Sequence, residues 1–170
     1  MKYILDFDRT LFDTERLYAA FANDGVDRNI LVPDIWQSYQ AKDFLYDDAL
    51  EFLQSHTPDD LIILTAYGTK YGDQVKQYQQ AKVAQEPVLS LVKQIYYVES
   101  DKVAQMQVIR AQFDLAEQLV FADDLLDHCV AVQSCIPNCT SLWVRRTDDQ
   151  PAPPTDIKAI SSLSELDAMI

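Results

Sequence analysis

Tyr3–Thr10 reads YILDFDRT: a short apolar strand running into two aspartates one residue apart, with a threonine two positions after the second. Alternate side chains of an extended chain share a face, which predicts that Asp6 and Asp8 point the same way. Like charges that close repel and raise each other's pKa. A chain keeps such a pair where a cation lies between the acids or where the two have different tasks. A solvated acidic turn is the plain alternative.

Outward from this stretch the pattern alternates strand and helix. Thr14–Asn23 (TERLYAAFAN) places Leu17, Ala20 and Phe21 on one helical face and ends at Asn23-Asp24-Gly25. A helix is expected over Pro33–Tyr39 and another over Asp47–Gln54, followed by a turn at Thr57–Asp60. Leu61–Leu64 (LIIL) is a continuous apolar run, as for a strand buried on both faces. Gln74–Ala84 is polar but helix-prone, Gln94–Val98 (QIYYV) is strand-like, and Asp101–Phe113 is helical with Val103, Met106, Ile109 and Phe113 as its stripe. Leu119–Ala122 (LVFA) and Ser141–Val144 (SLWV) complete five strands, with a helix over Leu125–Gln133 between them. A Pro-rich loop spans Asp148–Pro154, and Ser162–Glu165 has capping-box spacing for a last helix. The expectation is one α/β domain over 1–170: a Rossmann-like parallel sheet of about five strands, with helices on both faces.

The chain has 170 residues, 48% of them hydrophobic, and a formal charge of −13. That length suits one domain with a real core. The charge argues against nucleic acid or an anionic membrane as partner. An anionic substrate would need locally placed positive charge to enter. No apolar run has the length of a membrane span, and MKYILDFD lacks the apolar stretch of a signal peptide, so a cytoplasmic protein is expected. Cys129, Cys135 and Cys139 have no paired spacing and only two histidines accompany them, which predicts free, buried or partly buried thiols rather than a zinc site.

Ligands of open parallel sheets bind beyond the carboxyl ends of the strands. Those ends carry Asp6 and Asp8, then Thr65, then Asp123 and Asp124 with Asp127 four residues after Asp123. Lys102 follows the third strand at a helix start, where the dipole disfavours a cation, so local helix stability does not account for it. Singly, each has an ordinary explanation: a surface lysine, a turn threonine, acids near a helix N-terminus. Together they place acids, a hydroxyl and a lysine on one rim of one sheet.

This arrangement resembles the haloacid dehalogenase superfamily in its phosphatase branch. DFDRT, Thr65, Lys102 and ADDLLD (Ala122–Asp127) stand in for its four motifs, with Ala122 in place of a usual glycine. The resemblance covers almost the whole chain and is specific for the superfamily, not for a substrate. It implies a Mg²⁺-dependent phosphatase with Asp6 as nucleophile and Asp8 as general acid and base. Thr65 and Lys102 would bind the phosphoryl group. The metal would sit on Asp6, the backbone carbonyl of Asp8, Asp123 and Asp127, with Asp124 an alternative ligand. Residues 14–45 occupy the place of the family's cap insert and are short, implying an open site for a phosphorylated small molecule or a larger exposed phosphate ester. Arg9 stands where the family has glycine; it either touches substrate or points to solvent, and a turn that does not need glycine at positive φ is expected there. Trp36 or Tyr39 could face the substrate. Dehalogenases generally lack an acid at the position of Asp8. A phosphotransferase or mutase of the same fold, and a non-catalytic binding module, remain the other readings. A phosphoacceptor receiver domain is excluded by order, because here an acid cluster follows the lysine.

Overall fold

The computed structural model describes residues 1–29, 32–68, 72–147 and 156–170. The Pro-rich loop expected over 148–154 lies outside the described residues. Six strands form one parallel sheet: β1 (Lys2–Leu5), β2 (Leu61–Ala66), β3 (Gln94–Val98), β4 (Leu119–Asp123), β5 (Cys139–Val144) and β6 (Lys158–Ile160). Their spatial order is β3-β2-β1-β4-β5-β6. The sheet therefore has one strand more than the sequence suggests. The three-residue β6 pairs with β5 through Leu142↔Lys158, Trp143↔Ala159 and Val144↔Ile160, and a run that short carries no periodicity of its own.

The helices are α1 (Thr14–Asn23), α2 (Asp47–Ser55), α3 (Asp73–Val83), α4 (Val88–Leu91), α5 (Lys102–Arg110) and α6 (Leu126–Cys135). Pro33–Gln37 and Leu163–Met169 are 3₁₀ helices rather than α-helices, and the latter carries the expected capping box between Ser162 and Glu165. Asp13 caps α1 by accepting from the Arg16 amide at 2.9 Å, and Asp101 caps α5 by accepting from Ala104 at 3.0 Å.

Alternate residues of the central strands feed two cores. Tyr3, Leu5, Leu61 and Ile63 pack with α1 and α2 through Leu17, Phe21, Phe52 and Leu53. Ile4, Ile62, Leu64 and Phe121 pack on the opposite face with Met106 and Ile109 of α5 and Cys129 and Val132 of α6. Burial on both faces explains the unbroken apolar runs of β2 and β4. All three cysteines are free, and Cys129 and Cys139 are buried as expected; Cys135 alone departs from the expectation, being exposed.

β1 lies between β2 and β4, so the chain builds outward to β3 and then returns to the other side of β1. The direction of winding reverses between β1 and β4. Such a switch point opens a crevice at the carboxyl ends of the two strands, the usual ligand position of this architecture. Asp6 follows β1 and Asp123 ends β4, and the Asp6 amide donates to Ala122 O at 2.8 Å across that gap. Among the described residues, no helix is long and apolar enough to cross a membrane.

Candidate active site

Two groups of side chains meet at the switch point. In the first, Lys102 at the start of α5 donates to Asp6 Oδ1 and, at 2.7 Å, to Asp123 Oδ2. Lys102, Asp6 and Asp123 are 3%, 4% and 0% exposed, so these charges are removed from bulk water. Pairing with two acids accounts for a lysine at a helix start. Asp123 Oδ1 accepts from the Leu125 amide at 2.8 Å, and its Oδ2 lies 3.1 Å from His128 Nδ1. Oxygens of Asp6, Asp123 and Asp124 all lie within 4.8 Å of one another.

Three carboxylates share one ammonium, and the imbalance shifts their pKa values in different directions. Burial pushes Asp6 well above the usual carboxylate range; Lys102 opposes this, while Asp123 and Asp124 add to it. Burial and then repulsion from Asp123 push Asp124 up to about 6. Asp123 goes the other way: burial is outweighed by Lys102 and the hydrogen bond from His128. Lys102 is itself raised, because Asp6 and Asp123 overcome the effect of its burial. An oxygen-only acidic set short of positive charge fits a hard divalent cation.

The second group surrounds Asp8. Lys82 of α3 donates to both Asp8 oxygens, at 2.6 and 2.7 Å. Gln79 Nε2 adds a bond of 2.8 Å and the Thr14 hydroxyl one of 2.9 Å. Burial would raise Asp8, but Lys82 and these neutral donors outweigh it and hold the carboxyl below its usual range. The Lys82 ammonium also lies 5.2 to 5.7 Å from the ring centroids of Phe7, Phe12 and Tyr78. β1 stops at Leu5, so strand alternation does not govern Asp8. Asp6 and Asp8 consequently take separate lysines instead of sharing one cation between them.

The remaining expected residues divide. Thr65, near the end of β2, is 1% exposed and accepts from Gln79 Nε2 at 2.7 Å, which joins it to the group around Asp8. Asp127 is exposed in the first turn of α6 and outside the acid cluster; Asp124 takes its place, because α6 begins only at Leu126 and a four-residue spacing carries the side chain away from Asp123. Arg9 has φ +56°, so the turn does adopt the left-handed backbone that glycine prefers. Its guanidinium meets Glu15 at 2.8 Å and is half exposed. Trp36 is buried against Phe12 and Tyr78, and Tyr39 packs on Phe21 and donates to Asp24, so both serve packing.

Sequence reasoning missed Lys82 and Gln79. A signal was present. Val75, Tyr78, Gln79 and Lys82 fall on one face of α3, and all four are buried. Lysine and glutamine within an apolar stripe need buried partners, which a reading of Gln74–Ala84 as polar but helix-prone does not bring out.

No family model and no curated protein matches this sequence. Solved structures do match in fold. A haloacid dehalogenase-like family hydrolase from Xanthomonas campestris is 15% identical with a TM-score of 0.65, covering 99% of this chain and 94% of that one. The D,D-heptose 1,7-bisphosphate phosphatase of B. bronchiseptica, complexed with magnesium and phosphate, is 16% identical with a TM-score of 0.59, covering 99% and 97%. A dehalogenase with an intermediate complex is 12% identical with a TM-score of 0.60, covering 99% and 96%. The chain has the fold of haloacid dehalogenase-like hydrolases, a fold that these structures put to more than one reaction.

Proposed function

We propose that this protein is a Mg²⁺-dependent phosphatase that hydrolyses phosphate monoesters through an aspartyl-phosphate on Asp6. The observation that carries the reading is the cluster of buried Asp6 and Asp123 with half-buried Asp124 around a single Lys102, beside a second acid, Asp8, with its own lysine. Asp6, Asp123 and Asp124 would hold the ion, with the backbone carbonyl of Asp8 as a further oxygen. Bound there, Mg²⁺ supplies the positive charge that three acids and one lysine lack.

Asp6 Oδ1 is tied to Lys102, whereas Oδ2 accepts from no described residue and is the attacking atom. As the Oδ2–P bond forms, the P–O bond to the alcohol breaks and Asp8 passes a proton to the departing oxygen. Phosphate monoesters have a second pKa of about 6, so the substrate's monoanion can bring the proton that Asp8 relays. Asp8 then stands as the anion that Lys82, Gln79 and Thr14 stabilise. It takes a proton from the water whose oxygen attacks phosphorus, releasing phosphate and restoring Asp6. Lys102 neutralises phosphoryl oxygens as charge builds there, and Thr65, accepting from Gln79, keeps its hydroxyl proton to donate to one of them.

A departing halide needs no proton. The part-buried Asp8–Lys82 pair therefore has a task when an oxygen leaves and none when a halide does, which favours phosphate esters over dehalogenation. Transfer to an acceptor other than water uses the same first step and is the phosphotransferase alternative. The exposed free thiol of Cys135 suits a reducing compartment, in keeping with a cytoplasmic protein.

The test is hydrolysis of p-nitrophenyl phosphate with and without Mg²⁺, by wild type and Asp6→Asn. Metal-dependent turnover that falls about 10³-fold or more in a variant with unchanged circular dichroism is expected. Full activity in Asp6→Asn sinks the nucleophile assignment. A folded wild type that neither turns over the ester nor binds Mg²⁺ points to a binding module.

A further inference from the structure

We infer that the alcohol portion of the substrate is a single uncharged ring, packed against Tyr18 and Tyr67 in the cleft beside Asp8; this deepens the phosphatase reading and rests on it. The oxygen that leaves must lie within hydrogen-bond reach of the acid that protonates it. The rest of the alcohol then occupies whatever space adjoins Asp8. That space is a cleft of about 210 Å³ with Asp8 and Lys82 on its wall. At about 30 Å³ per water, it has room for about seven waters, the bulk of one ring.

Three elements supply the other walls: Leu17 and Tyr18 from α1, Tyr67 just after β2, and Val75 and Tyr78 from α3. The charged groups of the lining are already matched, Asp8 with Lys82 and Arg9 with Glu15. What remains for a ligand is apolar and phenolic surface, which favours an uncharged group. Tyr78 is committed to the core, 5% exposed and 5.4 Å from the Trp36 ring. Tyr18 and Tyr67 are not committed in this way. Among the described residues neither ring meets another aromatic ring, and neither hydroxyl makes a hydrogen bond. Instead a cation lies over each, Arg28 at 6.0 Å from Tyr18 and Lys76 at 6.0 Å from Tyr67. Two part-buried phenols, contributed by different elements to the lining of this cleft, offer stacking faces and two hydroxyls for polar atoms on the ring. The larger cavity of about 360 Å³ on the far side of Arg9 borders Asp124 rather than Asp8, so a leaving group placed there would lie away from the acid.

Non-hydrolysable phosphonates test this without requiring turnover. Benzylphosphonate and methylphosphonate are titrated calorimetrically, with Mg²⁺ present, into wild type, Tyr18→Ala and Tyr67→Ala. Wild type is expected to bind the benzyl compound about tenfold more tightly, and each variant to bring that ratio down several-fold. A wild-type ratio near one, a ratio unchanged in both variants, failure of both phosphonates to bind, or tighter binding of a carboxylate-bearing benzylphosphonate overturns the inference. The phosphatase reading fails separately, if the ratio behaves as expected and benzyl phosphate is bound but not hydrolysed.

Discussion

The two halves of the site use the same residue types and are balanced differently. Around Lys102, three carboxylates share one ammonium, with Asp6 and Asp123 removed from bulk water and Asp124 half-buried. Around Lys82, one carboxylate receives one ammonium and two neutral donors, and its side chain is 31% exposed. The first half is short of positive charge and calls for a further cation. The second is satisfied as it stands, with Asp8 held as an anion by Lys82, Gln79 and Thr14. A pair of acids one residue apart thus divides between two environments, because each faces its own lysine.

The sharpest way to break this contrast is to remove the lysines one at a time. Lys102→Met strands buried acids and is expected to cost about 3–5 kcal/mol of stability. Lys82→Met leaves Asp8 with Gln79, Thr14 and some water, and should cost less, about 1–3 kcal/mol. Mg²⁺ decides between the halves: it should restore much of the loss in Lys102→Met, because it binds the acids that lost their partner, and little in Lys82→Met. Urea unfolding with and without Mg²⁺ measures both. Equal responses to the metal would mean that the two lysines serve one shared cluster.

Much of this arrangement is visible in the linear chain, and the parts that are not share a cause. The strands of the sheet interior announce themselves as apolar runs, and Lys102 stands out because a helix start is a poor place for a cation. Asp124 and Asp127 are indistinguishable by spacing alone. Only the start of α6 at Leu126 decides which of them faces Asp6. Lys82 and Gln79 lie 74 and 71 residues from Asp8, in a helix whose polar composition hides its buried face. Strand ends are local and legible; which helix face meets them is a property of the packing.

pH separates Asp124 from Asp8 by sign. In metal-free protein Asp124 is raised to about 6, so between the ordinary carboxylate value and about 6 the folded state holds more protons than the unfolded one. The stability that Asp124 contributes is present at low pH and lost as pH rises through that window. Asp8 is lowered, so its contribution is present above the ordinary carboxylate value and lost as pH falls through its folded value. Chemical denaturation in EDTA should therefore show stability falling as pH rises from about 4 to 6, with Mg²⁺ removing that fall. Asp124→Asn should reduce the fall, and Asp8→Asn should leave it in place while reducing the loss at lower pH. A metal-independent profile would contradict the assignment of Asp124 to the underneutralised half.

The smallest effect concerns the residue between the halves. Arg9 follows Asp8 in left-handed backbone, its amide donating to Phe12 O at 2.7 Å, and a non-glycine residue pays roughly 1 kcal/mol for that conformation. Its exposed pair with Glu15 returns little of this. Glycine fits the turn without strain but leaves a more flexible unfolded chain. The two effects oppose, so Arg9→Gly should raise stability by about 1 kcal/mol or less, measured by thermal unfolding. Activity carries the sharper information. Arg9 borders both the cleft beside Asp8 and the cavity beside Asp124. If its guanidinium meets the phosphoryl group, the more stable variant should show a KM raised several-fold with kcat little changed. A variant with both parameters unaltered would leave Arg9 a surface partner of Glu15 in a strained turn, and the two halves would meet without a shared cation at their boundary.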